Sequence, residues 1–247
     1  MGHGGEPNGV QRARVRGEFA LFTRPEFKVE RVSYPVITPS AARGVFEAIL
    51  WKPAIRWRIR RVSVLKPIRF VGVKRNEVAG KVSVDSKHMA GEKPLATVSV
   101  EKARQQRNSV VLADVDYLVE ARFEMTRHAG PGDNAGKFAD MFRRRLAKGQ
   151  QFHQPYLGCR EFLATVTPPD GDETPIDDTR DLGLMTWDTE FVESGGRPSV
   201  TWRDGDRVVG GHAQQRLFHA RLVHGVMDVP DDPEASIDAM HGLEGGQ

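Results

Sequence analysis

Lys137 stands where a helix least tolerates a cation. Asn134 is a favoured N-cap, and Phe138, Met141, Phe142 and Leu146 behind it form one apolar stripe, so a helix is expected from Asn134 to about Lys148. Lys137 is then its third residue, where the positive end of the helix dipole disfavours an ammonium by a few tenths to about 1 kcal/mol. A bound anion would relieve that conflict, because free backbone N–H groups and the ammonium would converge on it. Groups that move protons lie nearby in the chain. His153 and Tyr156, in the run FHQPYLGCREF, follow the helix directly and can fold back towards its face, and His128 precedes it by a short loop. A cation with an imidazole and a phenol beside it is a set suited to acid–base chemistry on an anionic substrate. Each has a plainer reading too, as a solvated lysine or a structural hydrogen-bonder.

Cys159 is the only cysteine, which excludes an internal disulfide and a cysteine-built zinc cluster, and no His and Asp setting marks it as a nucleophile. His212, His219 and His224 are scattered, no carboxylate cluster has metal-ligand spacing, and neither a P-loop nor a Rossmann glycine fingerprint occurs. No metal and no cofactor is expected. The first residues, MGHGGEPNG, lack the apolar core of a secretory signal, and no run of about 18 apolar residues could span a bilayer. A soluble, cytoplasmic protein with no membrane partner is the expectation.

The formal charge of +3 is unevenly spread. Most of the surplus base precedes Arg160, while Asp170 to Glu193 is acidic, so the N-terminal body invites a polyanion. Arg24, Lys28, Arg31, Arg43, Lys52 and Arg56 fall within FTRPEFKVERVSYPVITPSAARGVFEAILWKPAIRW, residues 22–57, where aromatic side chains are interleaved. That mixture suits phosphate contacts with base stacking alongside. The candidate RNA-binding residues are Arg24, Arg43, Lys52, Lys74, Arg75, Arg104 and Arg107, with Arg143 and Arg144 along the second helix. Each alone reads more simply as a solvated surface charge.

The elements that would position these groups can be read in order. Arg14 to Thr23 is a strand. Thr38 caps a helix, Pro39 suits its first turn, Ala42, Val45, Phe46, Ile49 and Leu50 form its stripe, and Pro53 ends it. Arg56 to Leu65 is a strand whose face changes phase near Arg60 and Arg61, predicting a bulge. A strand from Ile68 to Val73 leads into a long basic excursion, Lys74 to Arg107; Ala113 to Met125 alternates as a half-buried strand, and Glu161 to Val166 closes the set. Strand, helix, strand, strand, helix, strand is the split βαβ arrangement, so an α+β, ferredoxin-like (RRM-like) domain is expected over residues 11–167. A small antiparallel β domain should follow over 168–230, with Leu182 to Val192, Ser199 to Trp202 turning through Arg203-Asp204-Gly205-Asp206 to Val208, and Arg216 to Val226. Residues 1–10 and 231–247 are Gly-rich or acidic and are expected to be mobile.

Residues 22–57, VLKPIRFVGVKRNEV at 64–78 and FHQPYLGCREF at 152–162 together resemble the Dvulg subtype of the fifth-numbered CRISPR-associated family, within the RAMP superfamily. The similarity is continuous from about Val15 to Phe162 and loose beyond. The resemblance implies a ferredoxin-like fold and, in subtype I-C systems, a metal-independent endoribonuclease. Such an enzyme cuts the CRISPR repeat in the precursor transcript by attack of a 2'-hydroxyl, then stays on the 5' tag of the crRNA within the interference complex. The family's Lys corresponds to Lys137, but its Tyr and His positions hold Leu50 and Phe138, which fit their helices' apolar stripes better than a catalytic role. His153 and Tyr156 are the candidates to replace them. Two other readings stay open: a structural subunit that caps the tag without cutting, and a general nucleic-acid binder with affinity for double-stranded DNA.

Overall fold

The computed structural model describes residues 9–27, 29–78, 99–204 and 207–237. Lys28, most of the basic excursion, Gly205 and Asp206 of the expected turn, and the outer parts of both termini lie outside the described residues.

The main sheet is built on one long strand. Strand β1 (Gln11–Ala20) and β3 (Ile55–Val64) flank the C-terminal half of β5 (Arg104–Met125), both antiparallel to it, and β8 (Thr165–Thr167) adds antiparallel to β1. The sheet therefore runs β12-β3-β5-β1-β8, with β12 (Val226–Asp228) on its outer edge; β4 (Phe70–Val78) and the short β2 (Arg31–Val32) pair with the N-terminal half of β5. Alternation along β3 and β5 is the cause. Trp57, Ile59, Val119, Ala121 and Phe123 turn one face inward, while Arg58, Glu120, Arg122 and Glu124 stay towards solvent. The phase change near Arg60 is a register shift between Ile59 and Arg61, as the sequence predicts.

Two helices cover the inward face. Helix α1 (Pro39–Ile49) starts where Thr38 Oγ1 accepts the Ala41 N–H at 3.2 Å, with proline in the first turn where no donor is missed. A four-residue turn of helix, α2 (Val100–Ala103), precedes β5. Helix α3 (Ala135–Ala147) starts at Asn134, whose Oδ1 accepts the Lys137 N–H at 2.9 Å. Phe46 of α1 stacks on Phe142 of α3 with centroids 5.1 Å apart, and Trp57 meets Phe46, Phe123 and Phe142. The one polar atom on that indole is satisfied, since Nε1 donates to the Leu50 carbonyl at 2.8 Å. Leu50 and Phe138 are buried in this core, as their stripe positions predict.

Three expectations are corrected. Lys74, Arg75, Arg104 and Arg107 are not in an irregular excursion; β4 and β5 pair from Phe70↔Leu112 to Val78↔Arg104, a ribbon that runs well beyond Val73 with exposed and half-buried positions alternating along β4. The single closing strand is two pieces. After β6 (Tyr156–Leu157), β7 (Cys159–Leu163) doubles back on it, and of the three it is β8 that pairs with β1, the chain turning where the Ala164 N–H bonds the Pro155 carbonyl at 2.9 Å. The stretch from Arg216 to Val226 is divided as well. Strand β11 (Arg207–Leu222) pairs with β10 (Val200–Asp204) and β9 (Arg180–Glu193) in a separate three-stranded sheet, whereas β12 turns away to join β3. Leu182, Met185, Phe218, Leu222, Met227 and Val229 pack into the same apolar cluster as Phe46 and Trp57. Beyond β12 the described residues run to 237, and Asp231, Glu234 and Ser236 contact Arg60, Arg216 and His219.

Candidate nucleic-acid cleavage site

A cleft of about 480 Å³ opens at the N-terminal half of α1. Thr38, Ser40, Gly44 and Glu47 form one wall, Thr186, Thr189 and Gln215 of the C-terminal sheet another, and His153, Tyr156 and Gly158 a third. His153 and Tyr156 also line a second recess of about 420 Å³, with Gln154, Arg160 and Leu163, so the two side chains stand on the rim between two hollows. Both are solvent-accessible. His153 Nδ1 lies 3.3 Å from the Gln154 carbonyl, and Nε2 has no hydrogen-bond partner among the described residues. Among the described residues the Tyr156 hydroxyl has no hydrogen-bond partner. An imidazole and a phenol beside hydroxyls and one carboxylate make a site able to hold a polar substrate and to move protons on it.

What fixes this rim is backbone. The Leu21 N–H donates to the Leu157 carbonyl at 3.0 Å, and Gly158 lies so close to the end of β1 that a Cβ there would stand 2.0 Å from the Leu21 carbonyl oxygen. Its φ of +82° also lies in the left-handed region that glycine alone enters freely. On the other side, the Phe152 N–H bonds the Ala48 carbonyl at 2.7 Å, anchoring the segment to α1. The segment 152–158 is therefore clamped between α1 and β1.

Lys137 is placed elsewhere. It is not among the residues lining either hollow, and from Lys137 to Arg145, whose guanidinium reaches the Ile49 carbonyl near the clamped segment, α3 rises about 12 Å. Its ammonium lies 2.9 Å from Asp133 Oδ1 and 3.3 Å from the Gly132 carbonyl, and 5.6 Å from the Phe138 ring centroid. The dipole conflict expected at this helix start is met by Asp133, whose carboxyl is held below its ordinary range by the Lys137 hydrogen bond and by the Gly130 N–H. Lys52 adds to the positive field there. His128, the weaker histidine candidate, faces Asp204 at 3.4 Å.

The arginines divide into held and open. Arg43 is a tie between layers, 2.8 Å from Glu47 and 2.7 Å from Asp188, its charge favoured by those partners against the cost of burial. Arg75 and Arg107 face each other across the ribbon on one side, where Arg31, Arg75 and Arg107 all lie within 4 Å of Glu77 and Arg75 also pairs with Glu161. Lys74 and Arg104 project from the ribbon's other, exposed side. Arg24 lies over the Tyr34 ring at 5.0 Å, Arg143 pairs with Asp140, and Arg144 is exposed with no ion pair among the described residues.

One carboxylate group runs against the sequence reading. Asp170, Asp172 and Glu173 bring ligand oxygens within 4.8 Å of one another around the turn at Gly171. Protein donors already serve it: Arg14 holds Asp170 at 2.7 Å, and Glu173 accepts the Asp170 and Gly171 N–H groups. It lies on the surface, away from the clefts.

A family model described as CRISPR-associated protein (Cas_Cas5), the Cas5d model, matches residues 12–230. The chain belongs to the Cas5d family. It is 49% identical over 220 residues to a Thermus thermophilus protein named CRISPR pre-crRNA endoribonuclease Cas5d, covering 89% of this chain and 90% of that protein. A protein of the same name from Mannheimia succiniciproducens is 46% identical over 231 residues, covering 89% and 94%. Two solved structures share the fold. One is a functionally uncharacterized Streptococcus mutans protein, with TM-score 0.59 at 20% identity over 90% of this chain and 92% of that one. The other is described as a CRISPR-associated protein, with TM-score 0.60 at 19% identity over 92% and 94%.

Of the expected catalytic residues, His153 and Tyr156 line the cleft and Lys137 does not, and sequence reasoning did not mark the rest of its walls. Thr38 reads as a cap and nothing more, while Thr186, Thr189 and Gln215 reach the site from strands far along the chain. Glycine between two short apolar-aromatic stretches, in PYLGC, was the one local signal of a tight approach.

Proposed function

We propose that this chain is an endoribonuclease that cleaves CRISPR repeat RNA by attack of a 2'-hydroxyl on the adjacent phosphate, with no metal required. It then stays on the 5' tag of the crRNA as a cytoplasmic subunit of the type I-C interference complex. The observation that carries the reading is the identity of 46–49% along nearly nine-tenths of the chain to proteins named pre-crRNA endoribonucleases. The βαββαβ core, with strand order β3-β5-β1-β8, supports a ferredoxin-like, RRM-like body as its RNA platform. His153 and Tyr156 on the rim of the cleft are assigned to proton transfer, and Lys137, about 12 Å along α3 from that rim and paired with Asp133, to charge stabilisation of the bound phosphate backbone from the start of α3. Arg24, Lys52, Lys74, Arg104, Arg107 and Arg144 would steer the backbone by charge. Arg43 and Arg75, being paired, would act on RNA through the walls they brace.

A second reading, a tag-capping subunit without cleavage, draws on Leu50 and Phe138 being buried and Lys137 being engaged by Asp133. The experiment that separates them is single-turnover incubation with the cognate repeat RNA, a scrambled hairpin, and a repeat carrying one deoxynucleotide 5' of the cut. Cleavage confined to the cognate repeat, blocked by the deoxy substitution and insensitive to EDTA, is expected. Absence of any cut with tight binding retained would leave the capping reading, and equal binding of duplex DNA would leave the general one.

A further inference from the structure

Five arginines meet at the edge where β3 faces the C-terminal sheet. Arg56 and Arg58 of β3 and Arg216 of β11 line a groove of about 260 Å³ together with Trp187, and Arg60 and Arg122 continue it along the solvent face of the main sheet. Arg58 lies over the Trp187 ring at 5.6 Å. The body supplies too few anions for them: Glu124 is 3.1 Å from Arg58, Glu190 is 3.1 Å from Arg216, and Asp188 is already bound to Arg43. Arg56 has no ion pair among the described residues, and burial, then its neighbour Arg58, weakens its hold on a proton. One nitrogen of Arg122, Nε, is buried without a partner.

The chain fills this deficit with its own acidic segment. Asp231 lies 2.5 Å from Arg60 and 3.0 Å from Arg122, Glu234 lies 2.5 Å from Arg216, and Asp231 and Asp232 form a wall of the groove. The segment is pinned at both ends rather than packed along its length. The Trp187 Nε1 donates to the Pro230 carbonyl at 3.0 Å, Pro233 is buried, and Ser236 Oγ accepts the His219 N–H at 3.1 Å, whereas Asp231, Asp232 and Glu234 are all exposed.

We propose that the groove of Arg56, Arg58, Arg60, Arg122 and Arg216 binds the phosphodiester backbone of nucleic acid, and that residues 231–234 occupy it as a competing polyanion. Planar guanidinium forks beside an indole suit phosphates and a stacked base better than scattered carboxylates. None of these residues belongs to the cleavage site assigned above, so binding here is separable from cutting.

The test uses the full chain with Asp231→Asn, Asp232→Asn and Glu234→Gln, read by fluorescence anisotropy against the repeat RNA hairpin and against duplex DNA of the same sequence. Near-isosteric neutralisation keeps Pro233 and Ser236 in place; Asp231→Asn alone is the milder second variant. The triple variant is expected to bind about tenfold tighter near physiological salt, with a log–log salt slope steeper by about two, and Asp231→Asn about threefold tighter. A gain with both nucleic acids assigns the groove to the backbone as such; a gain with RNA alone assigns it to the transcript. Adding Arg60→Gln and Arg122→Gln should erase the gain. The proposal fails if neither variant binds more tightly or if the gain survives the arginine changes. It fails too if neutralising Glu18, Asp172 and Asp177, exposed carboxylates elsewhere, gives the same gain.

Discussion

Replacing Gly158 with alanine tests whether the clamped segment, and not merely its side chains, makes the cleft. A methyl there would sit 2.0 Å from the Leu21 carbonyl oxygen, 2.7 Å from its carbon and 3.3 Å from the Phe22 nitrogen, all main-chain atoms that cannot swing aside. To reach ordinary contact the segment must part from the end of β1 by more than 1 Å. Three costs follow. A φ of +82° disfavours alanine by about 1 kcal/mol. The 3.0 Å bond from the Leu21 N–H to the Leu157 carbonyl is stretched or lost, at about 1 kcal/mol. Leu157, fully buried, is partly withdrawn from its site against Gly17, at roughly 1–3 kcal/mol. The sum, about 3–5 kcal/mol, should lower Tm on the order of 10 °C for a chain of this size. Gly149 provides the control: its φ is +63° but a Cβ would meet nothing within 4 Å, so Gly149→Ala should cost only about 1 kcal/mol. Thermal and urea unfolding by circular dichroism, with single-turnover cleavage at a temperature where both variants are folded, reads both effects. If Gly158→Ala melts within about 2 °C of the parent, or loses no more stability than Gly149→Ala, the close approach does not govern the segment.

Lys137→Ala should leave stability within about 0.5 kcal/mol, since the Asp133 pair is exposed, while single-turnover cleavage falls at least tenfold; unchanged cleavage would remove α3 from the catalytic centre. Arg104→Ala with Arg107→Ala should lower the salt slope of RNA binding by about one to two, and an unchanged slope would take the ribbon out of the RNA path. Arg43→Ala, which strands the buried Asp188, should cost about 2 kcal/mol in urea unfolding and change RNA affinity little; a loss of binding without a loss of stability would make Arg43 a direct contact. Asp231 has its carboxyl lowered by its hydrogen bond to Arg60, so its contribution is full above the ordinary Asp value near 3.8 and fades as pH falls through the lower folded value. Melting of the parent but not of Asp231→Asn should therefore acquire an extra acid loss below about pH 4, measured by pH-dependent unfolding.

Local rules carried far in this chain. Both long helices begin at the residues whose side chains can accept a first-turn N–H, Thr38 and Asn134, and both bury the stripe their spacing marks. The bulge at Arg60 and the burial of Leu50 and Phe138 follow from the same period counting. Even the pairing of Lys137 was within reach of the sequence, because Asp133 is four residues before it. What the sequence left open are contacts between residues far apart in the chain. Whether Arg43 meets RNA or Asp188 depends on β9 packing against α1, 145 positions later; whether Asp231 floats or binds Arg60 depends on β12 leaving the C-terminal sheet for β3. The cleft itself joins α1, the clamped segment and two strands of a second sheet. Caps and stripes act through neighbours within one or two turns, so they are written locally; the partner of a surface charge is chosen by whichever distant element the shared core brings alongside it.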